Sequence, residues 1–148
     1  MTGTSEGTAT DLLTDIMFLR RFVPAQQLDS MLLNMNGSDC DWIGPKLLEL
    51  AARIRAMPKS YEQDSKGREA VVYLHYFGGS ADFYITEKDR EVVQHQAFGA
   101  ATYGGGQSLE LGYISLVELC RHNLIELDLY FPPCTLEQVY QEREEMGL

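Results

Sequence analysis

The stretch "AVVYLHYFGGSADFYITE", Ala70–Glu87, decides the fold. Its first part, Ala70–Phe77, is rich in β-branched and aromatic residues and too short for a typical helix, so it reads as a strand. "GGSA" is then a turn and "DFYITE" the antiparallel partner. Working forward, "HQAFGAATY" (His95–Tyr103) and "SLELGYI" (Ser108–Ile114) flank a glycine run. Leu109, Leu111 and Tyr113 fall on one face, Glu110 and Gly112 on the other, which is the alternation of a half-exposed strand. Four strands thus form a meander.

Ser115 with Glu118, and Thr135 with Gln138, match the capping box that opens a helix. The first starts a short helix, "SLVELCRH", and the second a terminal helix, "LEQVYQEREEM". Between them "IELDLYF" (Ile125–Phe131) reads as a fifth strand, closed by Pro132 and Pro133.

Working backward, the period changes to that of helices. "DLLTDIMFLRRFV" carries Leu12, Leu13, Ile16, Met17 and Leu19 on a broad apolar face. Pro24 suits the start of a second helix, with Leu28, Met31, Leu32 and Met35 at i, i+3, i+4 and i+7, and Gly37 as its stop. A third helix places Leu47, Leu50, Ala51, Ile54 and Met57 inward and ends at Pro58.

The fold class is therefore α+β. An N-terminal helical segment precedes a mainly antiparallel sheet of four to five strands, with a short helix and a C-terminal helix. Residues 1–10 read as a disordered lead, 11–57 as a helical subdomain and 58–148 as the α+β domain, the last two forming one unit.

Composition narrows the function classes. Twenty-two acidic residues against 12 basic ones give a net charge of −10. Such a chain repels nucleic-acid phosphates, and only Arg20–Arg21 and "KSYEQDSKGR" offer local positive charge. Direct nucleic-acid binding is disfavoured. No apolar run nears the roughly 20 residues that span a bilayer. The first ten residues lack both the basic and the apolar block of a secretory signal. Cys40, Cys120 and Cys134 are an odd, unpaired set, which fits a reducing cytoplasm.

No catalytic motif stands out. Gly104–Gly106 is followed by Gln107, Ser108 and a strand pattern, not by Lys and a helix, so the run reads as a hairpin tip rather than a phosphate loop. His75, His95 and His122 are scattered. Cys120 and His122, two apart on a helix, point about 200° away from each other, so no metal site is expected. No cofactor motif is present. "ITEKDRE" brings Glu87 and Asp89 near one another, and carboxylate pairs do acid–base work, yet a mixed-charge run after a strand reads first as a solvated turn. Tyr73, Tyr76, Phe83, Tyr84, Tyr103, Tyr113 and Tyr130 all fall on expected strands. They offer either packing, an interface or a stacking platform.

The segments "VVYLHYF", "DFYITEKD", "FGAATYGGGQSLELGYISLVEL" and "IELDLYFPPCTLEQV" are similar, in order and spacing, to the DUF2958 family of bacterial proteins. Tyr84, Thr86, Glu87 and Asp89 match its hairpin motif. Glu110, Leu111, Gly112, Tyr113, Ser115, Leu116, Glu118 and Leu119 match its central motif. Asp128, Leu129, Tyr130, Phe131, Pro133 and Leu136 match its last. The likeness spans roughly 57–139, with Ile114 in place of the usual Phe, Leu127 where Arg is common, and no counterpart for the preceding helices. Members tend to be encoded on plasmids and phages, so the resemblance implies a mobile-element setting and no particular reaction.

These readings lead to a small acidic, non-enzymatic interaction protein of a mobile genetic element, binding a host or element protein to modulate defence or replication. Tyr84, Glu87, Asp89, Glu110, Tyr113, Asp128 and Tyr130 are the candidate site residues. Gly112 is expected to let a neighbouring backbone or ring approach. The alternatives are a ligand- or nucleic-acid-binding domain using a Tyr-rich sheet face, and an enzyme built on Glu87, Asp89 and Asp128.

Overall fold

A computed structural model describes residues 4–37, 41–104 and 108–148, with side chains in the first helix from Leu12 onward. Cys40 and most of the expected hairpin tip, Gly105 and Gly106, lie outside the described residues. The chain is α+β as expected. Three helices, α1 (Thr4–Leu19), α2 (Ala25–Asn34) and α3 (Ile43–Ala56), precede a short 3₁₀ turn at Gly67–Glu69. The strands are β1 (Val71–Val72), β2 (Leu74–Gly78), β3 (Ala81–Glu87), β4 (Gln96–Thr102), β5 (Glu110–Ser115), β6 (Glu126–Leu127) and β7 (Cys134–Thr135). Helix α4 (Leu116–Arg121) follows β5, and α5 (Leu136–Glu145) ends the fold. No helix among the described residues is long and apolar enough to cross a membrane.

The main sheet is antiparallel in the order β5-β4-β3-β2-β6, the expected meander with a fifth strand added beside β2. One face carries Leu74, Tyr76, Phe83, Ile85, Ala97, Ile114 and Leu127, all buried against α1–α4. In α3 the buried positions Ile43, Leu47, Leu50, Ala51 and Ile54 keep a spacing of three and four, one stripe of a 3.6-residue helix. Helices and sheet therefore share one core. The Tyr76 hydroxyl, fully buried, donates to the Phe22 carbonyl and ties the sheet to the turn after α1. Across the sheet a second, smaller core joins Val72, Tyr84, Ala100, Leu109 and Phe131 to Leu136 and Val139 of α5.

Both capping residues cap their helices, Ser115 by one half of the expected box and Thr135 by the whole of it. The Ser115 hydroxyl accepts the Glu118 N–H at 3.2 Å, and Thr135 with Gln138 forms the full reciprocal box. The two-residue turn between β2 and β3 uses the positive φ of Gly79, +58°.

Four expectations are corrected. Helix α1 begins at Thr4, not near Asp11; once the packed turns from Leu12 onward exist, each added residue gains a hydrogen bond without a new nucleus. Ala70–Phe77 is not one strand. It breaks at Tyr73, so that Val71 and Val72 leave the main sheet to pair with Thr135 and Cys134. Of Ile125–Phe131 only Glu126–Leu127 is strand; the Asp128 carboxylate accepts the Tyr130 N–H at 3.0 Å and turns the chain away. Finally, among the described residues nothing lies within 4 Å of a Cβ built on Gly112, so no close approach is seen over it. The close approaches are at Gly99, where a Cβ would sit 1.9 Å from the Tyr84 carbonyl oxygen, and at Gly78, 2.1 Å from that of Leu124.

Candidate functional site

The candidate residues separate into two clusters at opposite ends of the sheet face that bears Tyr84, and three stand apart. The first cluster centres on His75, which sequence reasoning had left as one scattered histidine. Pairing of His75 with Tyr84 across β2 and β3 stacks the rings at 4.5 Å with 5° between planes. Asp82, two residues along β3 and on the same face, accepts a 2.8 Å hydrogen bond at His75 Nε2. Asp128 reaches His75 Nδ1 at 3.5 Å, because its own backbone N–H pairs with the His75 carbonyl. Arg143 of α5 takes the second oxygen of Asp82 at 3.3 Å. A groove of 490 Å³ runs past His75, Asp82, Asp128 and Arg143 toward Gly79 and Leu148.

This constellation has the residue types of an acid–base site, and its members are paired mainly with one another. Each imidazole nitrogen faces a carboxylate, and the second oxygens of Asp82 and Asp128 are occupied by Arg143 and by the Tyr130 N–H. Nε2 is hydrogen-bonded to Asp82, and Nδ1 has only the longer contact to Asp128, at the side of the groove. A satisfied polar network of this kind fixes strand register and docks α5. The signal that could have found it is the i, i+7 pairing of His75 and Asp82 across a two-residue hairpin. Arg143 and Asp128 carry no such local signal.

The second cluster gathers at β4 and β5. Glu87, Phe98 and Tyr113 are cross-strand neighbours. Phe98 meets Tyr113 edge-on at 5.6 Å and 81°, and the Tyr61 hydroxyl lies 2.7 Å from that of Tyr113. Glu87 is only 3% exposed, and its carboxylate accepts the Tyr61 N–H. Burial raises the Glu87 carboxyl, with the nearby charges of Asp64 and Glu62 adding to it and the hydrogen bonds from Tyr61 and Gln63 opposing. Tyr113 and Leu111 remain 55% exposed and Tyr61 59%.

The side chains of Asp89, Glu110 and Tyr130 join neither cluster. Burial works against the charge of Asp89, but the backbone N–H groups of Glu91, Gln96 and His95, at 3.0–3.2 Å, hold its carboxyl below the usual value. It staples the loop after β3. Glu110 is exposed at the start of β5. Tyr130 lies under the Lys46 ammonium, 4.8 Å from the ring centre. Lys88, unremarked in the sequence, is buried and donates to the Ile54 and Arg55 carbonyls at 2.8 and 3.0 Å, closing the end of α3.

The tyrosines do not share a platform. Tyr76 is fully buried in the helix-side core and Tyr84 lies under Phe131, whereas Tyr103 and Tyr130 stand past strand ends. Among the described residues no group of three His, Cys, Asp or Glu side chains is arranged to hold a metal ion. Burial pushes the Cys120 thiol up to about 11 and raises that of Cys134, both away from the lowered values of reactive thiols. Comparison of the chain with protein-family models, curated proteins and solved structures gives no match.

Proposed function

We propose that this protein is a non-enzymatic binding module whose partner is another protein. One observation carries the reading. The exposed apolar and aromatic side chains of Leu111, Tyr113 and Tyr61 collect at one edge of the sheet, while the polar groups with catalytic potential are bonded to one another. Aromatic groups at a rim of this kind anchor interfaces. The likeness of residues 57–139 to DUF2958 proteins supports a mobile-element setting, in which such a module would modulate host defence or replication by occupancy rather than by turnover. Its net charge of −10 favours a basic protein surface over nucleic acid.

The test is affinity capture with the tagged full chain from lysates of several bacterial hosts. A stoichiometric protein retained above the tag-only control is the expected outcome. Recovery of none across those hosts sinks the reading.

A further inference from the structure

The two edges of the main sheet are treated differently. At β6, Asp128 donates to His75, which fixes the ladder so that Leu127 turns its backbone outward. The side-chain amide of Gln27 takes both groups there: it donates to the Leu127 carbonyl and accepts the Leu127 N–H, each at 2.8 Å. A glutamine thus stands in for a neighbouring strand, and that edge is closed.

At β5 nothing comparable occurs. Leu116 donates to the His95 carbonyl at 3.0 Å, so Glu110, Gly112 and Ile114 turn their backbones to β4 while Leu111 and Tyr113 turn theirs to the open side. Among the described residues no hydrogen bond reaches those outward groups. The strand carries none of the usual guards of an edge: no proline, no lysine, no bulge. Its centre is Gly112, with open space where a side chain would be. Its one charge is Glu110, and Glu62 and Asp64 are exposed beside Tyr61. Arg90, which lies over the Tyr61 ring, is engaged with the Ser60 carbonyl at 3.0 Å.

We infer that β5 accepts an extended, basic segment of the partner protein as a sixth strand. The inference rests on the protein-binding reading above and names how the partner is held. Main-chain pairing to Leu111 and Tyr113 supplies the grip. Apolar side chains of the segment cover Leu111 and Tyr113, and Lys or Arg side chains meet Glu110 and the Glu62–Asp64 rim. A second copy of this chain is the poorer occupant, since it brings −10 against −10 and one acidic rim against another.

The probe is a short peptide alternating Lys and Val, with a Glu–Val peptide of equal length as its counterpart, titrated into the full chain while amide exchange is followed by NMR. The Lys–Val peptide slows exchange at Leu111 and Tyr113, the Glu–Val peptide does not, and raising salt from about 0.05 M to about 0.5 M weakens binding about tenfold. Leu111→Pro, tolerated at an edge position, abolishes binding while circular dichroism stays unchanged. Glu110→Lys, which leaves the backbone intact, weakens it severalfold. Binding without protection of Leu111 and Tyr113, equal binding of the two peptides, or a chain that is already dimeric with these amides protected would each overturn strand addition. A lysate partner retained equally by Leu111→Pro and Glu110→Lys overturns it too, yet leaves the protein-binding reading in place.

Discussion

Glu87 is a buried carboxylate beside a tyrosine pair, and at first sight a candidate acid. Its raised pKa says that folding holds its proton more tightly than the unfolded chain does. Where the folded value lies above the unfolded one, the native state binds more protons, so stability falls as pH rises from the ordinary value of 4.5 through the folded value. Glu87→Gln keeps an oxygen to accept the Tyr61 N–H and removes the charge. The variant is expected to melt higher than the wild type at pH 7, and the difference is expected to shrink to nothing below the ordinary carboxylate range; thermal melts at several pH values check this. Equal melts at pH 7 would show that the charge costs nothing there. Asp89 has the opposite sign: its lowered pKa contributes stability above the unfolded value, lost as pH falls through the folded one. Asp89→Ala removes an acceptor of three backbone N–H groups and is expected to cost about 1–3 kcal/mol at pH 7, read by denaturant unfolding. Two carboxylates two residues apart in "ITEKDRE" thus have opposite electrostatic histories. The sequence shows their types and spacing but not which of them gathers enough backbone N–H groups to outweigh burial.

At the level of the element, local signals were the legible ones. The i, i+3, i+4 stripe of α3, the Ser115 and Thr135 caps and the hairpin at Gly79 depend on residues a few positions apart, so they read directly from the chain. The failures are long-range. β1 separates from β2 at Tyr73 because its partner, β7, comes after Pro133, and no pattern within Ala70–Phe77 encodes that. Gln27 and Leu127 are 100 residues apart, and a glutamine on a polar helix face announces nothing of an edge it will close. Gln27→Ala strips the partner from a buried backbone N–H and C=O. It is expected to cost about 1–3 kcal/mol in denaturant unfolding and to speed amide exchange at Leu127 while leaving Leu111 and Tyr113 unchanged. If Leu127 stays protected in that variant, another group closes the edge.

For the molecule as a whole, the helical segment and the sheet are inseparable. Leu74, Tyr76, Ile85 and Leu127 are almost wholly buried, in one cluster with α1–α3. Uncovering four such side chains forfeits about 6–12 kcal/mol at about 1.5–3 kcal/mol each, comparable to the entire stability of about 5–15 kcal/mol of a domain. Residues 58–148 expressed alone are therefore expected to lack a cooperative thermal transition. A sharp melt for that fragment would contradict the shared core. The sheet's unequal edges also bear on how copies of the chain meet at high concentration. Head-to-tail stacking, the route by which sheets polymerise into fibres, needs the β5 side of one copy to join the β6 side of the next. With Gln27 occupying the latter, a chain of copies joined through the main sheet has, among the described residues, no second end from which to grow. The molecule can offer an open strand to a partner and still be unable to propagate, so any assembly through that strand stops after one addition on its side.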